Sequence, residues 1–174
     1  MPEFVLEDRD SIEFRELPDF VQGYIECIFF TNASCIPMSE FWTAESQERI
    51  REGQADGDLP SDAGFLDLDK DSLARIIADC EAFQRDAADL LAQAYATEEY
   101  DEAQAGRDFW FTRCGHGVGF WCRDGIDYRS LQEGDEGDSI GDQLSEIARK
   151  AGERWVTFYE DESSHTGYGS VEVR

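Results

Sequence analysis

The sequence predicts an α+β fold in which two or three N-terminal helices pack on a small antiparallel sheet. Hydrophobic residues make up 41% and aromatic residues 13% of the 174 positions, which is sufficient for a packed core. Apolar residues recur at helical spacing in the N-terminal half, and short aromatic-rich stretches beside turn residues follow. This order predicts one domain over 1–174, mainly helical at 1–95 and arranged as hairpin, helix and strand at 106–174.

Two helices are predicted before residue 52. Residues 16–31 place apolar side chains at helical spacing, with Pro18 in the first turn, where proline is tolerated, and Asn32 at the end. Residues 39–51 predict a short helix within an irregular connection that is punctuated by glycine and proline.

The clearest helix is predicted over residues 70–95, whose apolar residues form one continuous stripe. Asp69 or Asp71 is expected to cap its start, because a carboxylate accepts backbone N–H bonds and opposes the helix dipole favourably. The opposite face of this helix is charged. Its acidic residues include Asp79, Asp86 and Asp89.

A β-hairpin is predicted after a charged connector at 97–106. The stretches Asp108 to Cys114 and Val118 to Arg123 are rich in aromatic residues and flank Gly115-His116-Gly117. Glycine between two such runs is typical of a tight hairpin turn. Loops of two and three residues both fit, and they place different side chains on one face, so the register stays open.

The last part of the chain predicts a loop, a helix and two short strands. Residues 124–137 are polar and contain glycine. Ser139 is a candidate N-cap with Asp142 in the capping-box position, and Gly152 ends the helix. Strands are then expected at 155–159 and 170–173, the second of them short.

The charge pattern is the strongest functional signal. Forty acidic residues face fifteen basic ones, for a formal net charge of -25. Acidic runs at 52–69, 86–106 and 131–148 contain no basic residue and alternate with foldable segments, which places the charge on a folded surface. Such a surface repels nucleic acid and anionic lipid. No transmembrane segment or signal peptide is predicted, so a cytoplasmic protein is expected.

Motifs for chemistry are weak, and the sequence predicts no enzyme, no cofactor and no metal centre. Cys114 and His116 need not point the same way at a hairpin tip, so a thiol dyad is a minor hypothesis. Together with Cys122 they supply zinc-type ligands, but a fourth ligand is missing locally. The glycines at 115–119 match neither the phosphate-binding loop nor the dinucleotide fingerprint.

The run AGRDFWFTRCGHGVGFW at 105–121 resembles a motif of small uncharacterised phage and prophage proteins. Residues 24–27 and 68–83 are similar to earlier helices of that family, so the resemblance covers about two thirds of the chain. Cys114 stands where asparagine is usual, Cys122 stands where aspartate is usual, and the C-terminal segment is longer. The resemblance implies a mobile-element origin and action inside an infected bacterium, and it supplies no catalytic residue.

Charge and resemblance together predict an acidic interaction protein that imitates DNA and inhibits a bacterial nucleic-acid-binding defence complex, of the anti-CRISPR or anti-restriction kind. Its partner would be a basic protein surface rather than nucleic acid or membrane. The alternative is a phage accessory protein that binds through a non-electrostatic surface, and a third hypothesis is an unrecognised enzyme. The residues expected to bind the partner are Asp79, Asp86, Asp89, Glu98, Glu99, Asp101 and Glu102.

Overall fold

The computed structural model describes residues 12–55, 57–97, 100–126 and 138–174, and it confirms the α+β class. Helices predominate, and the described residues include one two-stranded antiparallel sheet. The elements are α1 (Ile12–Arg15), α2 (Asp19–Asn32), α3 (Met38–Phe41), α4 (Ala44–Arg51), a 3-10 turn (Phe65–Asp67), α5 (Lys70–Asp86), α6 (Ala88–Tyr95), α7 (Glu102–Arg113), a second 3-10 turn (Phe120–Cys122), α8 (Ile140–Lys150), β1 (Val156–Glu160) and β2 (Gly169–Val173).

The first of two compact units combines residues 12–16, Ile25–Arg75 and Trp155–Arg174. Its strands pair from Val156 opposite Val173 to Glu160 opposite Gly169. The inner face of the sheet packs on aromatic rings, because Trp42 stacks on Phe158 with ring centroids 5.4 Å apart. Phe41 meets the same Phe158 ring edge-on at 5.3 Å. Both strands were predicted, and both are confirmed.

The second unit combines Leu17–Tyr24 and Ile76–Arg154 around a cluster of aromatic rings. Phe83 lies at its centre, stacked on Phe109 at 4.1 Å and on Phe120 at 5.6 Å. Phe20 joins this cluster from the start of α2, at 5.9 Å from Phe83. All four side chains are buried, and so are Trp110 and Phe111, so the aromatic residues of 105–121 other than the half-buried Trp121 belong to the core.

The predicted β-hairpin at 108–123 is wrong. Residues Glu102–Arg113 form α7, and Phe120–Cys122 form a 3-10 turn. Nearly every residue of α7 from Gln104 to Arg113 is buried, so no polar face marks the helical period. A short apolar run that is buried on all sides cannot be assigned to strand or helix from its periodicity.

The glycine after α7 ends a helix instead of turning a hairpin. Gly115 has a φ of 70°, in the left-handed region that glycine adopts without penalty. The His116 N–H donates to the Phe111 carbonyl at 2.9 Å, and the Gly115 N–H points to the Thr112 carbonyl at 3.4 Å. These two bonds define a Schellman C-cap, which uses the same glycine signal as a tight hairpin turn.

The remaining helix predictions are confirmed with changes in their bounds. The helix predicted over 70–95 is interrupted at Ala87, between α5 and α6. The segment predicted over 39–51 contains two short helices, α3 and α4. At α8 the predicted capping box is present, since the Ser139 hydroxyl accepts from the Asp142 N–H at 3.0 Å.

The organisation of 1–174 as a single domain stays a prediction. Residues 1–11 and the part of the predicted loop at 127–137 lie outside the described residues. Within the described part of the chain, no helix has the length and apolar character that crossing a bilayer requires.

Candidate partner-binding site

A buried arginine organises the polar interior of the second unit. Arg113, at the end of α7, is 3% exposed and its guanidinium lies 4.9 Å from the centre of the Phe109 ring. It donates to the Asp79 carboxylate at 2.8 Å and to the Tyr24 hydroxyl at 3.0 Å. The carbonyls of Gly152 and Ala151 accept its other hydrogen bonds at 2.7 and 3.0 Å. The arginine thus joins α7 to α5, to α2 and to the end of α8.

Asp79 is held between two guanidinium groups. Arg154 binds it in a bidentate manner, with Nε at 2.7 Å from Oδ2 and Nη2 at 2.8 Å from Oδ1, and Arg113 shares Oδ2. Burial alone would raise the pKa of Asp79, but the hydrogen bonds and charges of Arg154 and Arg113 outweigh it and hold the pKa below its usual range. The negative charge of Asp79 is therefore compensated inside the protein, and Asp79 does not contribute to a free acidic surface.

We expect the Asp79→Asn variant to be less stable than the wild-type protein at neutral pH. A carboxyl whose folded pKa is depressed contributes stability above its unfolded pKa of about 3.9 and loses it as pH falls through the folded pKa. The difference in unfolding free energy between the two proteins should therefore shrink as pH falls below about 4. Urea denaturation at a series of pH values measures this difference, and a gap that does not change with pH would contradict the role given to Asp79.

A second internal carboxylate, that of Asp108, lies about one and a half turns before Arg113 on α7 and is fully buried. Arg123 donates to it from Nε at 2.8 Å and from Nη2 at 2.6 Å, and the Tyr100 hydroxyl donates at 3.0 Å. The Gln104 amide donates at 3.1 Å. Burial raises the pKa of Asp108, while the hydrogen bonds and charge of Arg123 oppose that rise. A guanidinium, a phenol and an amide all donate hydrogen bonds to this one carboxylate, which fixes the start of α7 in place.

The predicted site residues Asp86 and Asp89 are exposed and lie together at the break between α5 and α6. They line one shallow depression with Arg85. Asp86 pairs with Arg85 at 3.4 Å, and both side chains are mostly exposed, so this pair binds weakly and leaves the carboxylate accessible.

The other predicted acids precede or begin α7. Asp101 and Glu102 are exposed, and Asp101 is the N-cap, since its carboxylate accepts from the Gln104 N–H at 2.7 Å. Both acids lie near the Tyr95 hydroxyl at the end of α6. Burial raises the pKa of that phenol, and the negative charges of Glu102 and Asp101 raise it further. The predicted residues Glu98 and Glu99 lie outside the described residues.

The binding of internal carboxylates by arginines of this unit was not predicted from the sequence. Arg113 is buried, and Arg123 and Arg154 are half-buried, all three bound to Asp79 or Asp108. These three arginines therefore neutralise carboxylates inside the unit. The exposed surface of the unit carries fewer basic residues than the number of arginines in the sequence indicates. The pairs join residues 15, 34 and 75 positions apart, and no local motif marks such pairs.

Cys114 and His116 occupy separate surroundings. The Cys114 thiol lies 3.9 Å from the Arg154 carbonyl, whereas the His116 ring packs edge-on against Phe111 at 5.8 Å. Burial raises the pKa of the Cys114 thiol and lowers the pKa of His116. A nucleophilic thiol needs the opposite shift, toward the thiolate.

Among residues 12–55, 57–97, 100–126 and 138–174, no group of three or more His, Cys, Asp or Glu side chains is placed to hold a metal ion. Comparison with known proteins finds no family model, no curated protein and no solved structure that matches this chain.

Proposed function

We propose that this protein is a phage- or prophage-encoded acidic interaction protein that acts in the host cytoplasm. It occupies the basic nucleic-acid-binding surface of a bacterial defence complex, of the anti-CRISPR or anti-restriction kind, in place of DNA. The origin rests on the resemblance of residues 105–121 to phage proteins. The mode of action rests on the charge of the second unit.

The observation that supports the proposal is the imbalance of exposed charge. In the described part of the second unit, the exposed basic residues are Arg85, Arg149 and Lys150. The exposed acidic residues of the same part are Asp19, Glu81, Asp86, Asp89, Asp101, Glu102, Asp124, Asp138, Asp142, Glu146 and Glu153. Carboxylates on a folded scaffold attract a surface built to meet phosphates, and they speed association through electrostatic steering.

The test is recovery of partners from a bacterial lysate at low and at high salt. We expect a nucleic-acid-binding protein whose capture competes with duplex DNA and weakens steeply as salt rises. The variant that combines Asp86→Asn, Asp89→Asn, Asp101→Asn and Glu102→Gln should bind this partner at least about tenfold more weakly near 50 mM salt, because it loses four exposed charges.

A control variant separates local from global charge. Glu13→Gln, Glu40→Gln, Glu45→Gln and Glu52→Gln also neutralise four exposed acids, but in the first unit. This control should retain most of the affinity. Equal losses in the two variants would show that net charge alone acts, and a partner that DNA does not displace would count against DNA mimicry.

One observation favours the alternative, an accessory protein that binds through a non-electrostatic surface. Trp155 is 69% exposed, and Tyr159 is also exposed on the same side of the strand. An exposed tryptophan is a common anchor of protein interfaces. A partner retained at high salt and lost in Trp155→Ser would support this second function and would argue against the first.

A further inference from the structure

We draw no further inference here: the strongest candidate, the polar cleft of about 550 Å³ between the start of α5 and the outer face of the β1–β2 sheet in the first unit, carries nothing, because acidic and basic side chains line it in equal numbers, Arg174 is already paired with Glu172 at 2.7 Å, and nothing in the structure shows what would occupy it.

Discussion

Arg113→Ala should lower the free energy of unfolding by about 3 to 5 kcal/mol, the range for breaking a buried ion pair by removing one partner. The guanidinium is almost completely buried and makes hydrogen bonds to Asp79, Tyr24 and the carbonyls of Gly152 and Ala151. Its loss removes one of the two guanidiniums bound to Asp79, leaves the Tyr24 hydroxyl and the two carbonyls without this donor, and opens a cavity beside the Phe109 ring. Urea or guanidinium denaturation monitored by tryptophan fluorescence measures the change.

Arg154→Ala is the matched control. It removes the other guanidinium from the same carboxylate, but the Arg154 side chain is 26% exposed, so water replaces part of what is lost. We expect a smaller loss, of about 1 to 3 kcal/mol, the range for an unsatisfied polar group. Equal losses for the two variants would contradict the assignment of Arg113 as the buried centre of the network.

Arg113→Lys is a second, milder variant that tests the same role if Arg113→Ala does not fold. A lysine retains the charge but has no planar fork, so it cannot bind Asp79 and the two carbonyls at once. We expect this variant to fold, with a free energy of unfolding between that of Arg113→Ala and that of the wild-type protein. A lysine variant as stable as the wild-type protein would show that charge matters and guanidinium geometry does not.

The elements that sequence predicted correctly are those with local signals. The capping box at Ser139 and Asp142 marks the start of α8, and Gly152 marks its end. The strands at Val156–Glu160 and Gly169–Val173 follow short runs that alternate or are β-branched. In each case the signal is a cap, a turn residue or a β-prone run that lies within a few residues, so it is visible without tertiary structure.

The helix α7 could not be predicted in this way, because its environment is set by distant residues. Ten consecutive positions from Gln104 to Arg113 include only one that is not buried, Arg107, so amphipathic periodicity is absent. The ion pairs of the candidate site are also non-local. Asp86 and Asp89 were correctly expected on a solvated helix face, whereas Asp79, on the same predicted face, is drawn inside by Arg113 and Arg154.

Gly106→Ala should be the most damaging single substitution of a glycine in the second unit. The helices α2 and α7 approach so closely that a Cβ at Gly106 would collide with the backbone carbonyl of Phe20 and come within 3.1 Å of the Tyr24 nitrogen. A Cβ at Gly23 would collide in turn with the backbone carbonyl of Ala103. Because backbone atoms cannot move aside as a flexible side chain can, the two helices would have to separate.

Separation of α2 and α7 would loosen the contacts that hold the aromatic core. Phe20 lies 6.1 Å from Phe109, and Tyr24 lies 5.3 Å from Trp110, so both ring pairs depend on the close approach. We expect a loss of about 3 kcal/mol or more in the free energy of unfolding, at or above the upper end for overpacked cores. Helix propensity alone would have predicted a gain of about 0.5 to 1 kcal/mol for alanine.

Gly117→Ala is the control for this prediction, because a Cβ at Gly117 meets no atom within 4 Å and should change stability by less than about 0.5 kcal/mol. Thermal and urea denaturation of both variants measure the difference in stability. A Gly106→Ala variant as stable as Gly117→Ala would mean that α2 and α7 are not in backbone contact. In that case the cluster of Phe20, Tyr24 and Phe109 would need another source of support.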